Sequence, residues 1–162
     1  MEAKYRISEE DYVNANKLFG KLTPKLILVY VVVSLALIVV AIFGSPVLKG
    51  GAIGGLVGGL IVTLLGRLLI SPLLAKRHYR RYKAIHDEFI VQLLDDGVRF
   101  ISSTGEGKVG WDSIHKWRQN KDYILIYPMP RLYHIVPKSI SSSDFDIQKL
   151  IESLNKNIGK NV

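Results

Sequence analysis

Cysteine is absent from this 162-residue chain, so disulfides and thiol chemistry are excluded and the redox compartment is left undetermined. Histidine is scarce, and its four residues show no metal-ligand spacing such as H-E-x-x-H. The nearest approach to a ligand set is the run of residues 86–88, His-Asp-Glu. These absences disfavour an enzyme that depends on a metal or a thiol. The four histidines are His78, His86, His115 and His134.

A serine nucleophile and a nucleotide-binding loop also lack their usual signatures. No nucleophile elbow surrounds Ser102, so a triad with Asp112 and His134 would arise only by accident of folding. Residues 105–110 match G-x-G-x-x-G, but Trp111 and a strand pattern follow where a dinucleotide fingerprint needs a helix. A glycine-rich hairpin is therefore the preferred interpretation. No catalytic, cofactor-binding or metal-binding residue is assigned.

Charge is missing from a long stretch near the N-terminus, and this stretch is the most informative part of the chain. Residues 26–43 contain no charged side chain, and a second apolar segment from about residue 51 to residue 74 contains only Arg67. A stretch of this length crosses the hydrocarbon core as a helix, because lipid offers the backbone no other hydrogen-bond partner. The two segments predict a transmembrane helical hairpin over residues 26–75. The polar, acid-containing segment ahead of them argues against a cleaved signal peptide.

A basic cluster without any acid follows the second apolar segment, in residues 76–83. The chain carries a formal charge of +8, yet residues 84–162 are neutral, so much of the excess lies where a helix would leave the bilayer. Positive residues stay on the cytoplasmic side, which predicts a multi-pass protein of the cell membrane with both termini in the cytoplasm. Only about residues 44–50 would reach the far side. The cluster consists of Lys76, Arg77, Arg80, Arg81 and Lys83.

This cluster also predicts contact with lipid headgroups. Its cations attract anionic lipids, and the interleaved Tyr79 and Tyr82 suit the membrane interface. Alternatively, the cluster only fixes the orientation of the second membrane helix. The two interpretations, lipid contact and orientation, can hold together. A nucleic-acid binder would spread basic residues over a folded face, so no nucleic-acid partner is expected. Arg67 is expected to snorkel towards the headgroups.

Small residues recur at helical spacing in the second apolar segment. Such a row lets helix backbones approach closely, because lipid gives helices no hydrophobic reason to associate. The row is either the seam of a homodimer or the face that packs on residues 26–43 of the same chain. The residues of this row are Gly51, Gly55, Gly59 and Thr63.

The first 25 residues predict a short strand followed by an amphipathic helix. Ser8 is a plausible N-cap, and the acidic residues 9–11 suit the positive end of the helix dipole. The helix either lies on the membrane surface or packs on the cytoplasmic domain. Pro24 can occupy the first turn of the first membrane helix, whereas Pro72 is expected to kink or end the second helix near Ile70.

Beyond residue 88 the hydrophobic period changes from that of helices to that of strands. A turn at residues 95–97 separates the first two strands, and a helix near residues 144–157 closes the chain after a start at Ser143, Asp144 and Asp146. Trp111 and Trp117 favour packing over a ligand cage, and Trp111 is expected to be mostly buried. The expected strands cover residues 89–94, 98–102, 108–111, 114–118, 123–127 and 131–136.

Three segments resemble the YcxB-like family of small bacterial membrane proteins. They are YRISEEDY at 5–12, LLDDGVRFISSTGEGKVGWDSIHKW at 93–117 and IYPMPRLYHIVPKSIS at 126–141. The resemblance implies a cytoplasmic domain similar to pleckstrin-homology domains, and it brings no catalytic residues with it. Together with the strand pattern it predicts an α+β membrane protein, in which a small antiparallel sheet or half-barrel is capped by a C-terminal helix.

The expected organisation has four parts: an N-terminal segment (1–25), a transmembrane hairpin (26–75), a basic juxtamembrane linker (76–88) and a cytoplasmic domain (89–162). The expected function is a non-catalytic binding or regulatory module held at the inner leaflet. Its partners would be anionic lipid headgroups and a protein or peptide. An immunity or envelope-stress protein that protects against membrane-active peptides is the alternative, and an enzyme is the third and least favoured class.

Overall fold

Two groups of elements make up the structure, a computed structural model that describes residues 1–142 and 144–161. One unit contains Met1–Phe19 and Ala75–Val162, and the other contains Gly20–Leu74. The helices are α1 (Glu9–Phe19), α2 (Pro24–Phe43), α3 (Pro46–Leu65), α4 (Ser71–Arg81) and α5 (Ile147–Ile158). The strands are β1 (Glu2–Arg6), β2 (Glu88–Leu94), β3 (Gly97–Ser102), β4 (Gly105–Gly110), β5 (Lys116–Gln119), β6 (Tyr123–Met129) and β7 (Leu132–Pro137).

The N-terminal strand joins the sheet formed by the second half of the chain. Strand β1 pairs antiparallel with β2, so that Tyr5 lies opposite Phe89, and the sheet order is β1-β2-β3-β4. Strand β1 and the strands of the second half of the chain therefore belong to one unit. The physical reason is that a lone strand leaves its backbone groups unpaired, whereas pairing with β2 satisfies them.

Helix α1 packs on the same unit through one apolar face. Ser8 is its N-cap, as expected, since Ser8 Oγ accepts from the Asp11 amide at 3.0 Å and the Asp11 carboxylate accepts from the Ser8 amide at 2.9 Å. Val13, Ala15 and Leu18 are buried. Of the two expected positions for this helix, the structure shows the packed one.

The second sheet has the order β5-β6-β7, and its central strand β6 is buried on both faces. Side chains alternate along a strand, so Tyr123 and Tyr127 face one side while Ile124 and Ile126 face the other. The Tyr123 hydroxyl donates to Asp11 at 2.7 Å, which places helix α1 on the tyrosine side. Two-sided burial explains why β6 contains a continuous apolar run.

The core of this unit lies between the two sheets and helix α5. The Tyr5 hydroxyl donates to the Ile135 carbonyl at 2.8 Å, and the Phe100 and His134 rings stack with centroids 4.0 Å apart, so each contact joins one sheet to the other. Helix α5 closes the core with the buried Leu150 and Leu154. The chain thus has an α+β unit, as expected, and its antiparallel strands form two sheets where a small sheet or half-barrel was expected.

The C-terminal helix starts later than expected. Asp146 is its N-cap, and its carboxylate accepts from the amides of Gln148 at 2.8 Å and Lys149 at 3.3 Å. Ser143, which was expected to take part in the helix start, lies outside the described residues.

Two helices of the described chain are long and apolar enough to cross a membrane, by length and composition: α2 and the continuous helical stretch Pro46–Arg81. None of the described residues in the most apolar window of either helix is buried. Pro24 occupies the first turn of α2, as expected, and the Thr23 side chain accepts from the Leu26 amide. The connection to α3 consists of residues 44 and 45 alone, because Pro46 already occupies the first turn of α3.

Pro72 does not end the second apolar helix. A π-helical segment, Gly66–Ile70, joins α3 to α4, and the Ser71 amide bonds the Gly66 carbonyl five residues back. Proline lacks an amide hydrogen and its ring crowds the preceding turn, and a π turn is one way in which a helix absorbs such a defect. The Arg67 guanidinium within this segment donates to the Gly20 carbonyl at 3.2 Å.

Candidate functional site

The expected basic cluster forms one face of helix α4 and the turn that follows it. Spacing of 100° per residue places residues 76, 77, 80 and 81 on one side of the helix and residues 75, 78, 79 and 82 on the other. Every side chain of the first set is exposed, as is Lys83 in the next turn. We call this surface the α4 basic face, and it consists of Lys76, Arg77, Arg80, Arg81 and Lys83.

The opposite side of α4 carries aromatic rings that contact the N-terminal helix. His78 lies between Tyr12 and Tyr82, with ring centroids 5.8 and 5.7 Å away. The Tyr12 hydroxyl and His78 Nδ1 are 2.8 Å apart and share a hydrogen bond. The Tyr79 hydroxyl donates to the Ile7 carbonyl at 2.8 Å, just ahead of helix α1. These contacts fix the rotation of α4, so its basic face points away from the rings.

Residue His86 extends the aromatic contact beyond the helix end. Its ring stacks on Tyr79 with centroids 4.5 Å apart. Its Nε2 lies 3.0 Å from the Tyr79 carbonyl oxygen, and since a carbonyl can only accept, Nε2 carries the donated hydrogen. The linker expected at residues 76–88 is therefore held by specific contacts with the folded unit.

One cation of the α4 basic face differs from the rest. Arg80 donates to Glu9 through Nε at 2.8 Å and through a terminal nitrogen at 3.2 Å. The hydrogen bond from Arg80 lowers the pKa of the Glu9 carboxyl below its ordinary value, and the charges of Arg80 and Lys76 act in the same direction. Arg80 has thus already found a carboxylate partner in helix α1, which reduces its availability to an external anion.

The face as a whole can hold anions. Lys76, Arg77, Arg81 and Lys83 present exposed cationic groups on flexible stems, which suit a layer of headgroups better than a single enclosed ligand. Apart from Glu9, the described side chains give this surface no ion pair at the distances of a salt bridge. The arrangement supports electrostatic attraction and contains no acid–base or nucleophilic constellation.

The expected glycine face is mostly open. A Cβ added at Gly55 would lie 3.8 Å from Leu37 of helix α2, whereas a Cβ at Gly51 or Gly59 would meet no described heavy atom within 4 Å. Thr63 is half-buried. The residue of α3 that is buried is Ala52, which was not expected. Gly55, Gly59 and Thr63 line one cavity together with Ser34 and Leu37 of helix α2. The choice between intrachain and dimer use of the row stays a prediction.

The residues weighed for a nucleotide loop and for a hydrolase triad have the following positions. Residues 105–110 form strand β4 of a hairpin, as expected for a glycine-rich hairpin. The Ser102 hydroxyl bonds Thr104 and the Gly105 carbonyl, and the His134 ring stacks on Phe100. Among the described residues no group of three or more histidine and acidic side chains could hold a metal ion.

The comparisons with known proteins concern this folded unit. Residues 93–152 match the YcxB-like protein family, YcxB. The matched segment runs from the end of β2 into helix α5, and it includes the turn and the hairpin that suggested the resemblance. The chain has no significant match among curated proteins or among solved structures. The match supports the family resemblance for that segment, and it assigns no activity.

Sequence reasoning found the cations of the site but missed what positions them. Glu9 and Tyr12 belong to helix α1, more than 60 residues before their partners Arg80 and His78. The sequence hint of this contact was the acidic first turn of α1, which could pair with the basic cluster at residues 76–83. That signal is weak, because acidic first turns also follow from the helix dipole alone.

Proposed function

We propose that this protein is an integral membrane protein that presents a non-catalytic binding or regulatory domain at the inner leaflet. Helices α2 and α3 form a multi-pass anchor with both termini in the cytoplasm. The folded unit is a pleckstrin-homology-like domain that docks a protein or peptide partner. The α4 basic face contacts anionic lipid headgroups.

The observation that carries this proposal is the two-sided character of helix α4. Its aromatic side is committed to the folded unit through Tyr12, Ile7 and the His78 ring, so the helix cannot turn without breaking these contacts. Its other side carries four exposed cations and the next turn adds Lys83, at the C-terminal end of a helical stretch long enough to span a bilayer. Positive residues in that place attract anionic headgroups and favour the cytoplasmic side.

Further support comes from the fold and from the apolar helices. The antiparallel strands and the C-terminal helix of the folded unit support the proposed domain type, and the strands form two sheets. The side chains of α2 are exposed along its whole length apart from a few half-buried positions, which a water-soluble unit would not sustain. Such surface is stable when lipid covers it.

The proposed lipid contact can be tested on the full chain in nanodiscs that contain phosphatidylcholine with or without phosphatidylserine. Native mass spectrometry would count the anionic lipids that stay bound. The test variant replaces Lys76, Arg77, Arg81 and Lys83 with glutamine. Each basic residue near an anionic surface contributes about 1 kcal/mol, so we expect most of the retained phosphatidylserine to be lost.

A matched control removes the same charge elsewhere in the folded unit. Lys4, Lys121, Lys149 and Lys156 are exposed and lie outside helix α4. Their replacement by glutamine should leave lipid retention unchanged. Equal lipid retention by the test variant and the unmodified chain would contradict the lipid contact. Equal loss of phosphatidylserine in the test and control variants would show that only the net charge of the protein matters.

The proposed topology has its own test. Reporter fusions after residues 22 and 47 and at the C-terminus should report a cytoplasmic, an external and a cytoplasmic position in turn. A C-terminus outside the cell would refute the topology and place the α4 basic face on the wrong side of the membrane.

A further inference from the structure

Strand β4 is an outer strand of the four-stranded sheet and has an open edge. Residues 105–108 are all exposed. The Trp111 amide bonds the Asp96 carbonyl at 3.2 Å, and bonding alternates along an antiparallel pair. The amide and carbonyl groups of Glu106, Lys108 and Gly110 therefore point away from β3, towards the open edge.

Two opposite charges lie on this edge, two residues apart. Glu106 and Lys108 have side chains on the same face of the sheet because side chains alternate. Arg99 donates to Glu106 at 2.8 Å, and Lys108 forms an ion pair with Asp96. Arg99 also lies directly opposite Lys108 in the register, so two cations face each other within the chain. Like charges directly opposite one another destabilise a strand pair.

We propose that two copies of this chain associate through strand β4, antiparallel about a two-fold axis at Gly107. In this register Glu106 lies opposite Lys108 of the partner copy, and Lys108 lies opposite Glu106 of the partner copy. The carboxylate of the partner's Glu106 thereby approaches Lys108, the cation that lies opposite Arg99 within the chain. The two four-stranded sheets become one continuous sheet. This inference does not depend on what the domain or the membrane helices bind.

The charges of Glu106 and Lys108 favour this register over the adjacent registers of the two strands. Only residues whose backbone groups point outwards can bond, so the permitted registers differ by steps of two residues. Centring the axis on Glu106 would put two glutamates opposite each other, and centring it on Lys108 would put two lysines opposite each other. Only the axis at Gly107 forms both oppositely charged pairs. Lysines on edge strands usually block such pairing, but here the alternation makes the edge complementary to itself.

The glycine at the axis suits a close approach. A Cβ added at Gly107 would meet no described heavy atom within 4 Å, so the strand presents open space at the centre of the proposed contact. Gly107 and its counterpart would form a non-hydrogen-bonded pair, the type in which two antiparallel strands bring their Cα atoms closest, to about 4.5 Å.

Because the chain contains no cysteine, any disulfide between copies must involve the introduced cysteine. In the full chain within native membranes, Gly107→Cys should form a disulfide between copies on mild oxidation, because about 4.5 Å between Cα atoms lies within the range that a disulfide spans. The control is Thr104→Cys, on the exposed turn before β4. In the proposed register its counterpart lies six residues away along the strand, at about 20 Å, so it should not cross-link.

Charge exchange in the Gly107→Cys background tests the register. Glu106→Lys alone or Lys108→Glu alone places like charges opposite each other twice, and each should lower cross-linking about tenfold. Co-expression of the two variants with different tags pairs lysines with glutamates at both positions, and cross-linking between the two tags should return. A role confined to the stability of each chain would not produce that return.

Three results of the cross-linking experiment would overturn the proposal. They are equal cross-linking at positions 104 and 107, full cross-linking in either single charge variant, or no return of cross-linking in the mixture. Capture of an extended peptide of another protein at this edge, without contact between copies, would also overturn it. Thermal unfolding of each variant shows that the chain is folded before the comparison is made.

Discussion

Removal of one hydroxyl group should destabilise the folded unit although the aromatic ring is kept. Tyr5 is 8% exposed, and its hydroxyl donates to the Ile135 carbonyl of the other sheet at 2.8 Å. Burial raises the pKa of Tyr5, so the donor stays protonated well above neutral pH. Tyr5→Phe leaves a buried carbonyl without this donor. Such a loss costs about 1–2 kcal/mol.

This free energy is large enough to measure. For a domain of roughly 100 residues, 1 kcal/mol corresponds to about 4–8 °C, so Tm should fall by about 4–16 °C. Unfolding of the full chain in detergent micelles can be followed by the fluorescence of Trp117, whose side chain is 1% exposed. Tyr82→Phe is the matched control, because Tyr82 is 56% exposed and its change should stay within about 0.5 kcal/mol. Equal Tm values for Tyr5→Phe and Tyr82→Phe would refute a stabilising hydrogen bond from Tyr5 of β1 to the second sheet.

Three further predictions concern the same unit. Gly97→Ala should destabilise it strongly, since the new Cβ would lie 2.8 Å from the Gly110 Cα and still closer to the Val109 carbonyl, and chemical denaturation would measure the loss. Trp117 should resist acrylamide quenching more than Trp111, which is half-buried rather than mostly buried as expected; single Phe replacements separate the two signals. Burial lowers the pKa of His134, so the unfolded state binds the proton more readily than the folded state. The free energy of unfolding should therefore fall as the pH drops below about 6.5, and it should fall less in His134→Gln.

Most strands were predictable because their residues alternate or carry turn signals at their ends. Strand β4 is the instructive exception, since it starts at Gly105 rather than at Lys108 as expected. Three of its six residues are glycines, so no hydrophobic pattern marks it. Pairing with β3 forms it, and cross-strand hydrogen bonds do not depend on the side chains of the outer strand. Strand β6 likewise runs past Pro128 to Met129, because the irregular register between Ile126 and Met129 releases the proline from the ladder.

The candidate site was predictable in composition and not in geometry. A run of five cations within eight residues after an apolar helix is a local property of the chain. The difference between Arg80 and its neighbours is not local, because it depends on Glu9 in another helix. The same holds for the glycine row, in which an added Cβ would contact helix α2 at Gly55 but not at Gly51 or Gly59. Helical spacing shows which residues share a face, but not which neighbour lies against that face.

The sequence by itself determined the two apolar helices, the run of cations at the end of the second of them, the N-cap at Ser8 and the place of Pro24 in the first turn of α2. Each of these depends on neighbouring residues, through hydrophobic length, helix-end hydrogen bonds or the fixed φ of proline. Only the tertiary structure decided that β1 completes the first sheet, that α1 covers the second, and that Arg80 is paired. Those features join residues tens of positions apart, and their free energy comes from burial and hydrogen bonds that exist only once the chain has closed on itself.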